Sequence, residues 1–159
     1  MYNVFSKVKP NKCQKVGIVG IDMKKVFSTK MINTGGRNGE VHSPDNSFEM
    51  TIVAPGHKVA GATNPEQLFA AGYSACFNSA LDYVKKQAQV DGESTIEVTV
   101  SLYNLSQTAL PDVQLGVEIE GHIEGITLEK SQELLEIAHQ TCPYSRATRG
   151  NIEVSVKAI

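Results

Sequence analysis

The stretch Thr63-Asn64-Pro65-Glu66-Gln67-Leu68-Phe69-Ala70-Ala71-Gly72-Tyr73-Ser74-Ala75-Cys76-Phe77 decides the fold. Its opening predicts a helix start. Thr63 can cap, Pro65 suits the first turn, and Glu66 stands three residues after Thr63 as in a capping box. The pattern carries the helix to about Gln89. Leu68, Phe69, Ala71, Tyr73, Ala75, Cys76, Phe77, Ala80, Leu81 and Val84 cover most of the circumference of its first half. A helix apolar nearly all round is a buried helix. Ala70, Ala71, Gly72, Ser74 and Ala75 are small and admit another backbone closely. A central helix packed against a partner helix follows.

On the N-terminal side, Val26 to Ile32 predicts a first strand and Gly35-Gly36-Arg37-Asn38-Gly39 a turn, because Gly and Asn tolerate positive φ. Phe48 to Val53 alternates Phe48, Met50 and Ile52 as a strand does. Ala54 to Ala62 is a Gly/Pro loop. On the C-terminal side, Ile96, Val98, Val100 and Leu102 alternate, as do Leu115, Val117 and Ile119, with Ile123 continuing past Gly121. Thr127 to about Thr141 has helical spacing, and Cys142-Pro143 ends it because a residue before proline disfavours the α region. Ile152, Val154 and Val156 make a last strand. The fold class expected is α+β, with antiparallel sheets packed around a long buried central helix.

The 159 residues suit one domain. Residues 1–22 stand apart, with Lys7, Lys9, Lys12 and Lys15 and one acid, Asp22. They read as a disordered or non-native extension, or as a basic tail that binds something; the folded domain spans 23–159. A formal net charge of -2 gives no electrostatic argument for nucleic acid. No apolar run is long enough for a membrane span, and Gly17 to Ile21 is too short for a secretory signal. A cytoplasmic location is expected, where thiols are reduced and three cysteines are not a disulfide framework.

Cys76, read alone, is a small hydrophobe in a buried helix. It lies about three turns from the helix start, so a thiolate there needs a cation from elsewhere. Cys142 sits in a more polar place, beside Pro143, Tyr144, Ser145 and Arg146, where a thiol is more reachable, and Cys13 is given no role. Cys142 and His139 have ligand-like spacing on one helix, but His42, His57 and His122 form no metal-binding grouping, so no metal is expected. Neither a P-loop nor a Gly-x-Ser-x-Gly elbow is present.

Together with Thr34-Gly35-Gly36-Arg37-Asn38-Gly39 and His139-Gln140-Thr141-Cys142-Pro143-Tyr144-Ser145-Arg146-Ala147-Thr148-Arg149-Gly150-Asn151, the opening stretch resembles the organic hydroperoxide resistance proteins. These are a branch of the superfamily that includes the osmotically inducible protein C. The resemblance runs from about residue 24 to the end. It implies a peroxidatic Cys76, a resolving Cys142, and a polar site of Arg37 and Glu66 around Cys76. It implies an obligate, intertwined homodimer with sites at the interface, no cofactor, and a dithiol reductant, a lipoyl group rather than thioredoxin.

Physical chemistry fits these roles. Arg37 supplies a cation that cannot be neutralised, and Glu66 can hold it as a bidentate pair. Glu66 and Cys76 are ten residues apart, about 15 Å along a continuous helix. Either the helix breaks near Gly72 or a second subunit supplies one of them, and the small-residue face favours the second subunit. Phe69, Tyr73, Phe77 and Tyr144 are the expected apolar approach for an alkyl peroxide, with plain core as their other reading. The other functional class is a non-catalytic dimeric stress protein or apolar-ligand carrier with redox-sensing cysteines.

Overall fold

The computed structural model of the chain describes residues 24–105 and 112–159. The readings made of residues 1–22, including Cys13, lie outside the described residues. Residues 24–30 carry no regular structure and are exposed. The chain divides into two units after Lys30, and the second is Met31–Ile159.

The unit begins with a small sheet, β1 (Ile32–Thr34), β2 (Gly39–His42), β3 (Glu49–Ile52) and β4 (Ala62–Thr63), in the order β1-β2-β3-β4. The strand expected over Val26–Ile32 is therefore displaced. Ile32 pairs with His42, the last residue of β2, so Val26–Met31 have no strand opposite them. The turn between β1 and β2 is built for its sequence. Gly35 and Gly36 take φ of 82° and 61°. The Asn33 side chain accepts from Gly36 N (3.1 Å) and donates to Glu40 O (2.8 Å). A Cβ on Gly39 would lie 1.8 Å from the Thr34 carbonyl oxygen. This turn presents Arg37.

Helix α1 (Pro65–Gln87) is continuous and ends close to the expected residue. Its cap is Asn64, not Thr63. Asn64 is extended and its side chain accepts from Gln67 N at 2.8 Å. Thr63 is held in β4, where its hydroxyl donates to Gln67 Oε1, and with Asn64 as the cap Glu66 falls one residue short of the capping-box position and accepts from Arg37 instead.

A second sheet follows, of β5 (Ser94–Asn104), β6 (Val113–Ile123) and β7 (Glu153–Ala158) in that order. β5 and β6 are antiparallel, as alternation in both suggested. β7 runs parallel to β6, as β4 does to β3, so both sheets are mixed. Between β6 and β7 lie α2 (Leu128–Thr141) and α3 (Pro143–Thr148), the latter not expected from the sequence. Cys142 separates them. With ψ at 126° it leaves the α region, as the following Pro143 requires.

The core joins Tyr73, Phe77, Leu81 and Val84 of α1 to Leu134, Leu135 and Ala138 of α2 and Val117, Ile119 and Ile123 of β6. β1–β4 add no residue to this cluster, although Ile52 of β3 and Thr63 of β4 are buried. Helix α1 is covered on one side only: Ala71, Ala75 and Ser79 are exposed, and Tyr83 is 62% exposed. The all-round apolar character read from the sequence thus exceeds what one chain buries.

Candidate active site

The expected site residues fall into two pairs. The first is the cysteine pair. Cys76 lies midway along α1 and Cys142 at the α2–α3 junction. The S–H of Cys142 points to Cys76 Sγ, with the sulfurs 3.6 Å apart. Both are free thiols. Closing to a disulfide needs about 1.5 Å of further approach. The order of reachability expected from the sequence is reversed: Cys142 is fully buried, whereas Cys76 is half-buried and opens onto a cavity of about 320 Å³ lined also by Ser79, Ala80, Tyr83, Thr141 and Pro143.

Burial pushes the Cys76 thiol above its ordinary pKa; the backbone N–H of Tyr144 opposes that rise, and neighbouring Cys142 adds to it. Within its own chain, then, burial disfavours the Cys76 thiolate.

The second pair is Arg37 with Glu66. Arg37 Nη1 donates to Glu66 Oε2 at 2.8 Å and Nη2 to Oε1 at 2.6 Å. This fork-on-carboxylate geometry fixes the guanidinium. Hydrogen bonding from Arg37 holds the Glu66 carboxyl below its usual range, with burial opposing. Glu66 borders a separate cavity of about 440 Å³ that includes Pro55, Asn64, Gln67, Ala70, Val98 and Leu102. Because α1 is unbroken, about 15 Å of helix separates Glu66 from Cys76. The chain brings Arg37 to Glu66 and Cys142 to Cys76, but not one pair to the other.

The aromatic residues divide. Phe69, Tyr73 and Tyr144 form a cluster with ring centroids 5.6–6.1 Å apart. Tyr73 is fully buried and its hydroxyl donates to Ser145 Oγ at 2.9 Å, tying α1 to α3. Phe77 is fully buried and faces the His139 ring. The Cys76 cavity is instead bordered by Ser79, Ala80 and Tyr83. These stand three, four and seven residues after Cys76, a helical spacing that the sequence carried but that composition did not flag. Among the described residues, no group of three or more His, Cys, Asp or Glu side chains is placed to hold a metal. No helix among them is long and apolar enough to cross a membrane.

The family model for OsmC-like protein matches residues 56–157. An organic hydroperoxide resistance protein-like 2 of Staphylococcus epidermidis is 44% identical over 135 residues, covering 82% of this chain and 94% of its own length. A Staphylococcus aureus organic hydroperoxide resistance protein-like chain is 43% identical over 132 residues, covering 82% and 93%. Among solved structures, the organic hydroperoxide resistance protein OhrB of Bacillus subtilis superposes with a TM-score of 0.77 at 41% identity, covering 85% of this chain and all of that one. That of Elizabethkingia anophelis, with thiocyanate bound, gives 0.76 at 43%, covering 86% and 98%.

Proposed function

Because the chain belongs to the OsmC-like family, and within it to the organic hydroperoxide resistance proteins, we propose that it is a peroxidase. It reduces organic hydroperoxides to alcohols by a two-cysteine cycle. The Cys76 thiolate attacks the distal peroxide oxygen and the alcohol leaves. The sulfenic acid so formed condenses with Cys142, releasing water and closing a disulfide. A dithiol, of which a lipoyl group is the expected form, restores both thiols by exchange. The observation that carries this reading is the 3.6 Å approach of a buried thiol to a half-buried one, 66 positions apart in sequence.

Arg37 is the activating cation, and it reaches Cys76 across a homodimer interface. The midpoint between Glu66 and Cys76 is Ala71, which is exposed and flanked by Gly72 and Ala75. Two copies of α1 crossing antiparallel with their two-fold axis at Ala71 set Glu66 of each beside Cys76 of the other. Small residues at the crossing permit the close approach. That β1–β4 add no residue to the cluster α1 shares with α2 and β6 supports the same arrangement, since that sheet then packs against the other copy. In this dimer the cavity beside Cys76 receives the alkyl group, and Phe69, Tyr73, Phe77 and Tyr144 form its apolar backing.

Thiol counting tests the cycle. One equivalent of tert-butyl hydroperoxide should remove two thiols and leave a Cys76–Cys142 disulfide in the peptide map. Retention of all thiols would favour a non-catalytic apolar-ligand carrier.

A further inference from the structure

Resting on the two-cysteine cycle proposed above, we infer that the dithiol reductant docks in the cavity lined by Cys76, Ser79, Ala80, Tyr83, Thr141 and Pro143 and makes its mixed disulfide with Cys76, expelling Cys142. The two sulfurs of the proposed disulfide are not equivalent. Cys142 has no exposed surface and belongs to the hydrophobic core, among Tyr73, Leu134 and Ala138. Cys76 borders an open cavity of about 320 Å³. Closing the disulfide moves the sulfurs together by only about 1.5 Å, which leaves that contrast in place.

Exchange depends on which sulfur can be reached and on which thiolate leaves more readily. The two criteria oppose each other here. The Tyr144 N–H favours negative charge on Cys76, which by itself would make Cys76 the better leaving group. Access decides, because attack on Cys142 requires the core to open first, whereas Cys76 is reached with the core closed. Burial around Cys76 further weakens the leaving-group preference.

The electrons balance in two displacements. A thiolate of the dithiol bonds to the Cys76 sulfur while the Cys76–Cys142 bond breaks and its electron pair leaves on Cys142. The second thiolate then attacks its own linked sulfur, releasing the Cys76 thiolate and closing the reductant's disulfide. Two electrons enter the protein. The walls that this chain supplies suit the alkyl arm of such a reagent: Ala80, Pro143 and the Tyr83 ring are apolar, and Ser79 and Thr141 offer hydroxyls. Peroxide and reductant then use one opening in turn, which predicts ping-pong kinetics with each reactant at high concentration competing against the other.

The test uses Cys13→Ser protein oxidised by one equivalent of tert-butyl hydroperoxide, with loss of two thiols verified. Thionitrobenzoate is added as a monothiol probe. The reaction is quenched in acid, and free thiols are alkylated with N-ethylmaleimide under denaturing conditions. Peptide mass spectrometry should find thionitrobenzoate on Cys76 and maleimide on Cys142. The reverse labelling overturns the inference. If no adduct accumulates, single-turnover reduction of the disulfide by dithiothreitol decides. Tyr83→Trp, which narrows the opening, should slow both this step and peroxide reduction about tenfold. An unchanged reduction step beside a slowed peroxide step would overturn the shared opening. Failure to lose two thiols at the outset would sink the two-cysteine cycle, and the docking with it.

Discussion

Replacing Arg37 with alanine should slow peroxide reduction about 10- to 100-fold at pH 7, and the deficit should shrink as pH rises. The size of the effect separates two geometries. Within one chain Arg37 is held at Glu66, about 15 Å along α1 from Cys76. Unit charges that far apart in water interact by about 0.3 kcal/mol before screening, which is under a factor of about two in ionisation. Across a dimer interface, at about 5 Å and an effective dielectric of about 20, the attraction is about 3 kcal/mol, a factor of over about 100. The Glu66 carboxylate offsets part of this. The Arg37 side chain is 44% exposed, so solvent removes more, which gives the expected range. The sign with pH follows from burial, which raises the Cys76 pKa. Without the cation more thiol stays protonated at neutral pH, and raising the pH restores the thiolate. The assay is the rapid-mixing rate of tert-butyl hydroperoxide consumption by pre-reduced protein between pH 6 and 9.5. A deficit below twofold would refute the two-chain site. A large deficit constant across pH would show that Arg37 does not act on the thiol.

Further substitutions probe the same framework. Ala71→Cys, in a background with the three native cysteines changed to serine, should form a covalent dimer on mild oxidation; a protein that stays monomeric in denaturing electrophoresis would exclude a two-fold axis at that residue. Cys142→Ser should reduce one equivalent of peroxide and then lose activity through over-oxidation of Cys76, detected as sulfinic or sulfonic acid by mass; sustained turnover at the native rate would remove Cys142 from the cycle. Tyr73→Phe strips the fully buried Ser145 hydroxyl of its 2.9 Å partner and should cost about 1–3 kcal/mol in urea unfolding. Gly121→Ala would bring a Cβ to 2.6 Å from Leu135 Cδ2 and 3.0 Å from Ile96 Cδ1, an overpacking worth about 1–3 kcal/mol of lost stability by the same measurement.

Several errors in the sequence reading share one cause. The strand read at Val26–Ile32 fails because strand formation depends on a partner, and β2 ends opposite Ile32. The cap assigned to Thr63 belongs to Asn64, because Thr63 is drawn into β4 beside Ile52. Glu66 looked like half of a capping box, yet its carboxylate takes a guanidinium 29 positions away. Each local signal was outbid by a contact remote in sequence. Tyr73 and Phe77, for which apolar approach and plain core both stood open, are fully buried in α1, and Tyr83, two turns beyond Cys76, borders the cavity directly.

By itself the sequence determined the long helix, the alternating strands of the second sheet, the break at Cys142-Pro143 and the four polar residues of interest. Periodicity, proline sterics and short specific motifs are local and survive without coordinates. Only the tertiary structure decided which residues meet. It set two sulfurs 3.6 Å apart, kept an unbroken helix between Cys76 and Glu66, and left one side of that helix bare. Distances of this kind depend on how α1, α2 and two sheets pack, and no residue pattern within any one element encodes them.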